Sequence, residues 1–76
     1  MGKKMYYVLK IIYSCKDKGI SAKDIVKQLE QYQIFIEIKS VYRIINRLNE
    51  FFFHIIDGDM IRSSKRIGYY IDKEFF

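Results

Sequence analysis

Residues 38–51, IKSVYRIINRLNEF, carry the strongest structural signal in this chain. Their apolar side chains recur at spacings of three and four residues, which is the period of a helix with one buried face. The apolar stripe consists of Val41, Ile44, Ile45, Leu48 and, one residue beyond the stretch, Phe52. We therefore predict an amphipathic helix that begins at about Lys39 and ends at Glu50 or Phe51.

The other sides of this predicted helix are polar, basic and aromatic, and they carry Tyr42, Arg43, Asn46, Arg47 and Asn49. Such groups can reach both the phosphates and the base edges in the major groove of a duplex. We predict that Arg43 meets a guanine edge or a phosphate, that Arg47 meets a phosphate, and that Asn46 shares their DNA-binding surface. The simpler alternative is a solvated face on which Arg47 pairs with Glu50, a contact worth only about 0.2–0.5 kcal/mol.

Three further positions on this helix have specific expected roles. Lys39 and Ser40 lie at its start, where backbone N–H groups and the helix dipole favour a phosphate. Tyr42 either binds a sugar or phosphate of the nucleic acid, or covers the seam between two helices with its hydroxyl at the surface. The sequence leaves the choice for Tyr42 open.

The composition fits one small domain that spans residues 1–76. Half of the residues are apolar and 17% are aromatic. Even a chain that buries only about 60% of its unfolded surface can therefore form a core. Proline is absent, and no Gly/Ser-rich run marks a linker. Fourteen Lys and Arg against nine Asp and Glu give a net charge of +5, which favours a polyanionic partner such as nucleic acid.

Cysteine usage and hydropathy predict the compartment. A single cysteine, Cys15, excludes an internal disulfide framework and fits a reducing environment. No apolar run approaches the roughly 20 residues that a membrane span needs. The start MGKKMYY lacks the long apolar region of a signal peptide. We expect a cytoplasmic protein without a membrane partner.

Two more helices are predicted before the amphipathic one. The first covers residues 4–16, and Gly19 after it suits the left-handed turn that ends many helices. Ser21 opens the second helix, with Asp24 at the spacing of a capping box. This second helix runs to about Tyr32.

The segment between the second and third helices, IFIEI at residues 34–38, has strand propensity. We nevertheless expect a compact connection, with at most a single strand bridge. Ile34 and Ile36 would then enter the core.

Residues 53–71 predict a β-hairpin. His54-Ile55-Ile56 comes directly before Asp57-Gly58, a strong turn pair, and residues 67–71 form the returning strand. The pattern leaves open whether the tight turn lies at Asp57-Gly58 or the loop extends through Arg66.

The order helix, helix, helix, hairpin predicts a small α+β winged helix, in which a helix-turn-helix pair is followed by a β-hairpin wing. The third helix would enter the major groove, and the wing would lie on the flanking backbone or minor groove. Arg62, Lys65 and Arg66 make the wing basic, and we predict that they contact the DNA backbone. The alternative is a mobile, solvated loop tip.

Four segments, taken in order, carry a family resemblance. They are MYYVLKII at residues 5–12, LEQY at 29–32, SVYRIINRL at 40–48, and GYYI at 68–71 followed by Glu74-Phe75. Together they resemble the N-terminal winged helix-turn-helix domain of the WYL-type and DeoR-type bacterial transcription regulators. The corresponding runs in that family are T-[IV]-Y-R-D-I-x-x-L and G-Y-Y-L-x-x-x-x-F. The resemblance implies DNA binding in transcription regulation.

Three departures limit what the resemblance implies. The family's Asp after Tyr-Arg is Ile44 here, and the wing carries the unusual run RSSKR at residues 62–66. The chain has no room for the effector-binding domain that follows in those regulators, so we expect a stand-alone domain of the kind common in phages and mobile elements. The means of dimerisation stays open. Two bound copies would need half-sites about 10 base pairs apart, or a multiple of that.

The sequence contains no motif for catalysis or for a cofactor. His54, the one histidine, has no cysteine or histidine partner for zinc, and Cys15 lacks the partners of a nucleophile. No Gly-rich phosphate loop is present, and turn chemistry explains Asp57 and Asp59 on either side of Gly58. We therefore expect no enzyme, no bound metal and no cofactor.

Two groups of aromatic residues permit more than one interpretation. The first group could stack on the bases of a single strand, although core packing better explains Phe52 and one member of each adjacent pair. Its members are Phe51, Phe52, Phe53, Tyr69 and Tyr70. The second group, Phe75 and Phe76, needs a partner surface, which is either the first helix or a second subunit.

These observations together predict a sequence-specific double-stranded DNA-binding protein that regulates transcription. The alternative is a winged-helix protein-interaction module, for example a phage-type inhibitor of a host protein. Binding of single-stranded DNA or RNA is a third hypothesis.

Overall fold

The computed structural model describes residues 2–75, apart from the side chain of Lys73. Three helices are followed by a two-stranded antiparallel hairpin, which confirms the predicted α+β fold in a winged-helix-like layout. In chain order the elements are α1 (Lys3–Cys15), α2 (Ala22–Glu30), α3 (Ile38–Ile56), β1 (Ile61–Ser64), β2 (Gly68–Ile71) and a short 3₁₀ helix (Lys73–Phe75).

The predicted cap of α2 is confirmed. The Ser21 hydroxyl accepts a hydrogen bond from the backbone N–H of Asp24 at 3.1 Å, which satisfies one of the free amides of the first turn. The helix ends at Glu30, two residues before the predicted Tyr32. Gln33 then adopts a left-handed conformation, with φ of 62°.

The connection between α2 and α3 contains no strand, as expected. Ile34 is buried and Ile36 is half-buried against the core, which confirms their predicted role. Phe35, between them, is 71% exposed because successive side chains of extended backbone point in opposite directions.

Helix α3 is longer than the sequence indicated, because it continues to Ile56. The expectation that His54-Ile55-Ile56 forms a strand was therefore wrong. The helical period of apolar residues outweighs the β propensity of two adjacent isoleucines. Asp57 does not begin a hairpin turn but ends the helix in a left-handed conformation, with φ of 55° and its N–H bonded to the carbonyl of Phe53 at 2.8 Å.

Neither of the two predicted turn positions is found, because Asp57-Gly58 follows the end of α3 and residues 61–64, which the longer loop would include, form β1. Strands β1 and β2 pair from Ile61 opposite Ile71 to Ser64 opposite Gly68, and the turn occupies residues 65–67. A third segment joins the sheet, since Ile20 and Tyr69 exchange both backbone hydrogen bonds, at 2.8 and 2.7 Å. The sequence did not predict this bridge, which joins the loop between α1 and α2 to the wing.

Two glycines permit this close approach. Gly68 has φ of 83°, and a Cβ atom there would lie 2.5 Å from the carbonyl oxygen of Ile20. Gly19 has φ of 87°, and a Cβ there would overlap Ile67. Helix α1 itself ends before Gly19, at Cys15, and its C-cap residue Lys16 has a positive φ of 49°. The role of Gly19 is therefore to admit the wing rather than to end the helix.

One apolar core lies between the three helices and the hairpin. Each helix contributes its inner stripe, and Ile61 and Ile71 close the core from the hairpin. Cys15, Phe52, Tyr69 and Phe75 pack partly buried against it. The predicted partner surface of Phe75 is thus the core of its own chain, whereas Phe76 lies outside the described residues. In the part of the chain described, no helix is long and apolar enough to cross a membrane.

Candidate nucleic-acid interface

The solvent side of α3 presents one row of polar side chains. They follow one another at spacings of four, three and four residues, and they lie opposite the buried stripe of Val41, Ile45 and Leu48. We call this row the outer stripe; it consists of Lys39, Arg43, Asn46 and Glu50, all exposed. Three of its members are predicted DNA contacts, and the fourth, Glu50, is acidic.

Tyr42 lies on the flank of α3 that faces the wing. Its ring centroid is 6.4 Å from that of Tyr69 on β2, with the two planes tilted by 54°. Tyr42 remains 48% exposed, so it covers the seam between α3 and the wing while its outer part stays available to a ligand. Both alternatives for this residue are thus compatible with its position, although the seam joins a helix to the hairpin rather than two helices.

Tyr69 is the more enclosed partner of this aromatic pair. Burial raises the pKa of the Tyr69 hydroxyl above its ordinary value, and the neighbouring Tyr42 raises it further. The hydroxyl therefore stays protonated across the physiological range and can act as a hydrogen-bond donor. Asn46, Arg62 and Ser63 line the same cleft between α3 and the wing.

Asn49 lies on the polar side of α3, but the structure uses it inside the protein. Its Nδ2 donates to the carbonyl of Ile61 at 3.0 Å, and its Oδ1 accepts from the N–H of Ile61 at 2.9 Å. Because both ends of the amide are occupied, Asn49 is a connection between α3 and β1 and not a free group for a base edge.

The flank of α3 opposite the wing carries Ser40, Arg43 and Arg47. These residues border a shallow depression with Ile36 and with Lys4 from the start of α1. Lys4 adds a cation that sequence reasoning did not assign to the site, since only the packing of α1 against α3 brings it there. Within residues 2–75, Arg47 forms no ion pair with Glu50, so the helix pair of the simpler alternative is not found.

The first turn of α3 has no side-chain cap. Glu37 occupies the N-cap position, and the N–H groups of Ser40 and Val41 bond to its backbone carbonyl at 3.0 and 3.3 Å. The carboxylate of Glu37 favours the positive end of the helix dipole. It therefore offsets part of the attraction that Lys39 and the dipole exert on a phosphate.

The three cations predicted in the wing have different surroundings. Arg62, on β1, pairs with Asp72 at 3.5 Å, and both side chains are substantially exposed, at 52% and 37%. Such a pair contributes little to stability, but it cancels the charge of Arg62. Lys65 and Arg66 lie exposed in the turn, and the N–H of Arg66 donates to the Ser64 hydroxyl at 3.1 Å.

The C-terminal half of α3 differs in character from the N-terminal half. Glu50 and His54 border a depression together with Phe53 and with Asp59, which follows the helix. The basic charge of α3 is therefore confined to its first half. The helical period of the sequence places Glu50 on the outer stripe, and this signal was available without the structure.

The structure thus gathers eight of the nine predicted contacts into three places, and the ninth, Lys39, lies exposed in the first turn of α3. Asn46, Tyr42 and Arg62 border the cleft, Ser40, Arg43 and Arg47 border the opposite flank, and Lys65 and Arg66 lie at the hairpin tip. Among the described residues, no group of three or more His, Cys, Asp or Glu side chains could hold a metal ion. No protein-family model matches the chain, and neither a curated protein nor a solved structure matches it.

Proposed function

We propose that the protein binds double-stranded DNA and regulates transcription in the cytoplasm, with α3 in the major groove and the wing on the flanking backbone. The observation that carries this proposal is the outer stripe, which presents Lys39, Arg43 and Asn46 to solvent side by side. Arginine recognises guanine and asparagine recognises adenine in the major groove, while lysine binds phosphates.

Charge beyond the outer stripe supports the same orientation. Lys4 and Arg47 extend the basic area along one flank of α3, and the hairpin tip adds Lys65 and Arg66. A helix and a wing that are both basic can contact two stretches of backbone at once. The resemblance of residues 40–48 and 68–71 to DeoR-type and WYL-type regulators adds support from the sequence.

The test is fluorescence anisotropy of a labelled random duplex at low and moderate salt. We expect binding whose logarithm falls with the logarithm of salt concentration, at a slope of about −0.9 per phosphate neutralised. Arg43→Glu and Arg66→Glu should each weaken binding and make that slope shallower. Absence of duplex binding by the unmodified protein at low salt would overturn the proposal.

Lys10→Glu is the matched control for these charge reversals. Lys10 lies on the exposed side of α1, away from the face that packs on α3, with its Nζ 5.9 and 5.6 Å from the ring centroids of Tyr7 and Tyr32. The same change of charge there should affect DNA binding much less. A single-stranded probe of equal length tests the third hypothesis, which requires tighter binding to the single strand.

A protein-interaction module is the second candidate, and one observation favours it. Phe51, Phe53 and Ile55 near the end of α3 are exposed by 53%, 49% and 72%. If Phe51→Ser abolished the activity of the protein in its host while Arg43→Glu left it intact, the interaction module would replace DNA binding as the function.

A further inference from the structure

Glu50 is an acidic residue in the row of side chains that the proposed function directs at a polyanion. It is exposed, and within residues 2–75 its carboxylate has neither an ion pair nor a hydrogen bond. Asp59 borders the same depression and adds a second negative charge. Glu50 would therefore repel phosphates wherever α3 approached a backbone. When α3 lies in a groove, its carboxylate needs a hydrogen-bond donor in place of water.

The helix geometry defines where Glu50 would lie in a groove. It follows Arg43 by seven residues, which is almost two full turns, so the two side chains point in the same direction. The rise along the helix between them is about 10 Å. That distance corresponds to about three base-pair steps of a duplex.

The chemistry of the base edges then selects the partner. An ionised carboxylate only accepts hydrogen bonds. In the major groove, cytosine offers an exocyclic amine as a donor, whereas guanine offers two acceptors and thymine offers an acceptor and a methyl group. Adenine places an acceptor beside its donor, so it is a poorer partner for a carboxylate than cytosine is.

We propose that Glu50 is a specificity-determining residue that accepts a hydrogen bond from the amine of a cytosine about three base pairs from the base contacted by Arg43. This inference rests on the proposed function. Opposite guanine or thymine, the carboxylate would lose water without gaining a donor, and it would face other acceptors. Glu50 thus selects against wrong sites, while the basic residues supply the general attraction to DNA.

The test is parallel selection of bound sequences from a randomised duplex library. The unmodified protein should select cytosine about three positions from a guanine. Glu50→Gln should select adenine there, because a glutamine amide pairs with the donor and acceptor of adenine. Glu50→Ala should reduce the selectivity for cytosine at that position by about tenfold and leave the base preferences at the other positions unchanged. Both variants should bind random duplex more tightly than the unmodified protein.

Glu30→Gln, on the exposed side of α2, removes the same charge away from the outer stripe. It should leave the selected site unchanged, and a change at the cytosine position would overturn the inference. If the unmodified protein selects a site and both Glu50 variants select the same one, the inference fails while DNA binding stands. If the unmodified protein retains no duplex, the proposed function fails and this inference falls with it.

Discussion

The side-chain amide of Asn49 hydrogen-bonds to both the N–H and the carbonyl of Ile61, so a residue of α3 takes the place of a neighbouring strand for β1. A two-stranded hairpin is at best marginally stable in water by itself. The Asn49 connection on one side and the Ile20–Tyr69 bridge on the other attach the wing to the helices.

Asn49→Ala should therefore destabilise the protein by about 1–3 kcal/mol, because both backbone groups of Ile61 lose their partners in a partly buried place. Urea denaturation followed by circular dichroism measures the loss. Asn46→Ala, one turn earlier and exposed, is the matched control and should change the free energy of unfolding by less than about 0.5 kcal/mol. An equal loss of unfolding free energy in the two variants would contradict the stabilising role of the Asn49–Ile61 hydrogen bonds.

Gly68→Ala should destabilise the protein by more than about 2 kcal/mol, since it adds a Cβ against the carbonyl of Ile20 and imposes a strained positive φ. Gly58→Ala is the control. Gly58 has open space around the position of a Cβ and no positive φ, so little change is expected. Thermal unfolding of the two variants in parallel is the measurement, and a Gly68→Ala protein as stable as Gly58→Ala would refute the close contact.

Asp72→Asn should strengthen duplex binding several-fold with little change in stability. The substitution frees Arg62 from its exposed ion pair and removes one negative charge beside the wing. The asparagine Oδ1 can still accept from the N–H of Glu74, as the aspartate does at 3.3 Å. The control is Glu74→Gln, which removes the same charge without releasing Arg62, and anisotropy titration gives the duplex affinity of both variants. An equal increase in affinity in the two variants would mean that Arg62 plays no part in binding.

Stability at high pH should depend on Tyr69. Its folded-state pKa is raised by burial and by Tyr42, so the folded protein binds the proton more tightly than the unfolded chain does. The free energy of unfolding should therefore fall as pH rises above the ordinary tyrosine value of about 10. Below that value the contribution of the protonated Tyr69 hydroxyl to the free energy of unfolding is fully present.

Tyr69→Phe removes the titrating hydroxyl and keeps the ring, so the fall above about pH 10 should become shallower. Tyr6→Phe, at an exposed position of α1, is the control for removing a tyrosine hydroxyl. Denaturation at several pH values between 9 and about 11 gives the slopes, and identical slopes for Tyr69→Phe and the unmodified protein would contradict this account.

Local patterns predicted the helices well because each helix has its own apolar period. The cap at Ser21 was also visible, since capping depends on neighbours in sequence. The end of α3 was missed because Asp57-Gly58 can either end a helix or form a hairpin turn. Whether the helix continued depended on Phe52 finding a surface to pack on, which is a tertiary property.

The candidate site was predictable in composition but not in arrangement. Periodicity places Arg43 and Asn46 on one side of α3, and the structure agrees. The hydrogen bonds of Asn49 with Ile61, twelve residues away, and the place of Lys4 beside the same depression as Arg47 depend on contacts between separate elements. No spacing rule within one element could have revealed them.

The bridge between Ile20 and Tyr69 also bears on how such a domain can change over evolutionary time. It lies at the turn end of the hairpin, where Ile67 also approaches Gly19, whereas the Asn49 connection lies at the open end. Lys65 and Arg66 are nevertheless exposed in the turn. Because both side chains are exposed, we expect substitutions at Lys65 and Arg66 to change the free energy of unfolding little. These two positions can therefore change over evolutionary time with little cost to the core, although the turn that carries them is attached to the rest of the protein.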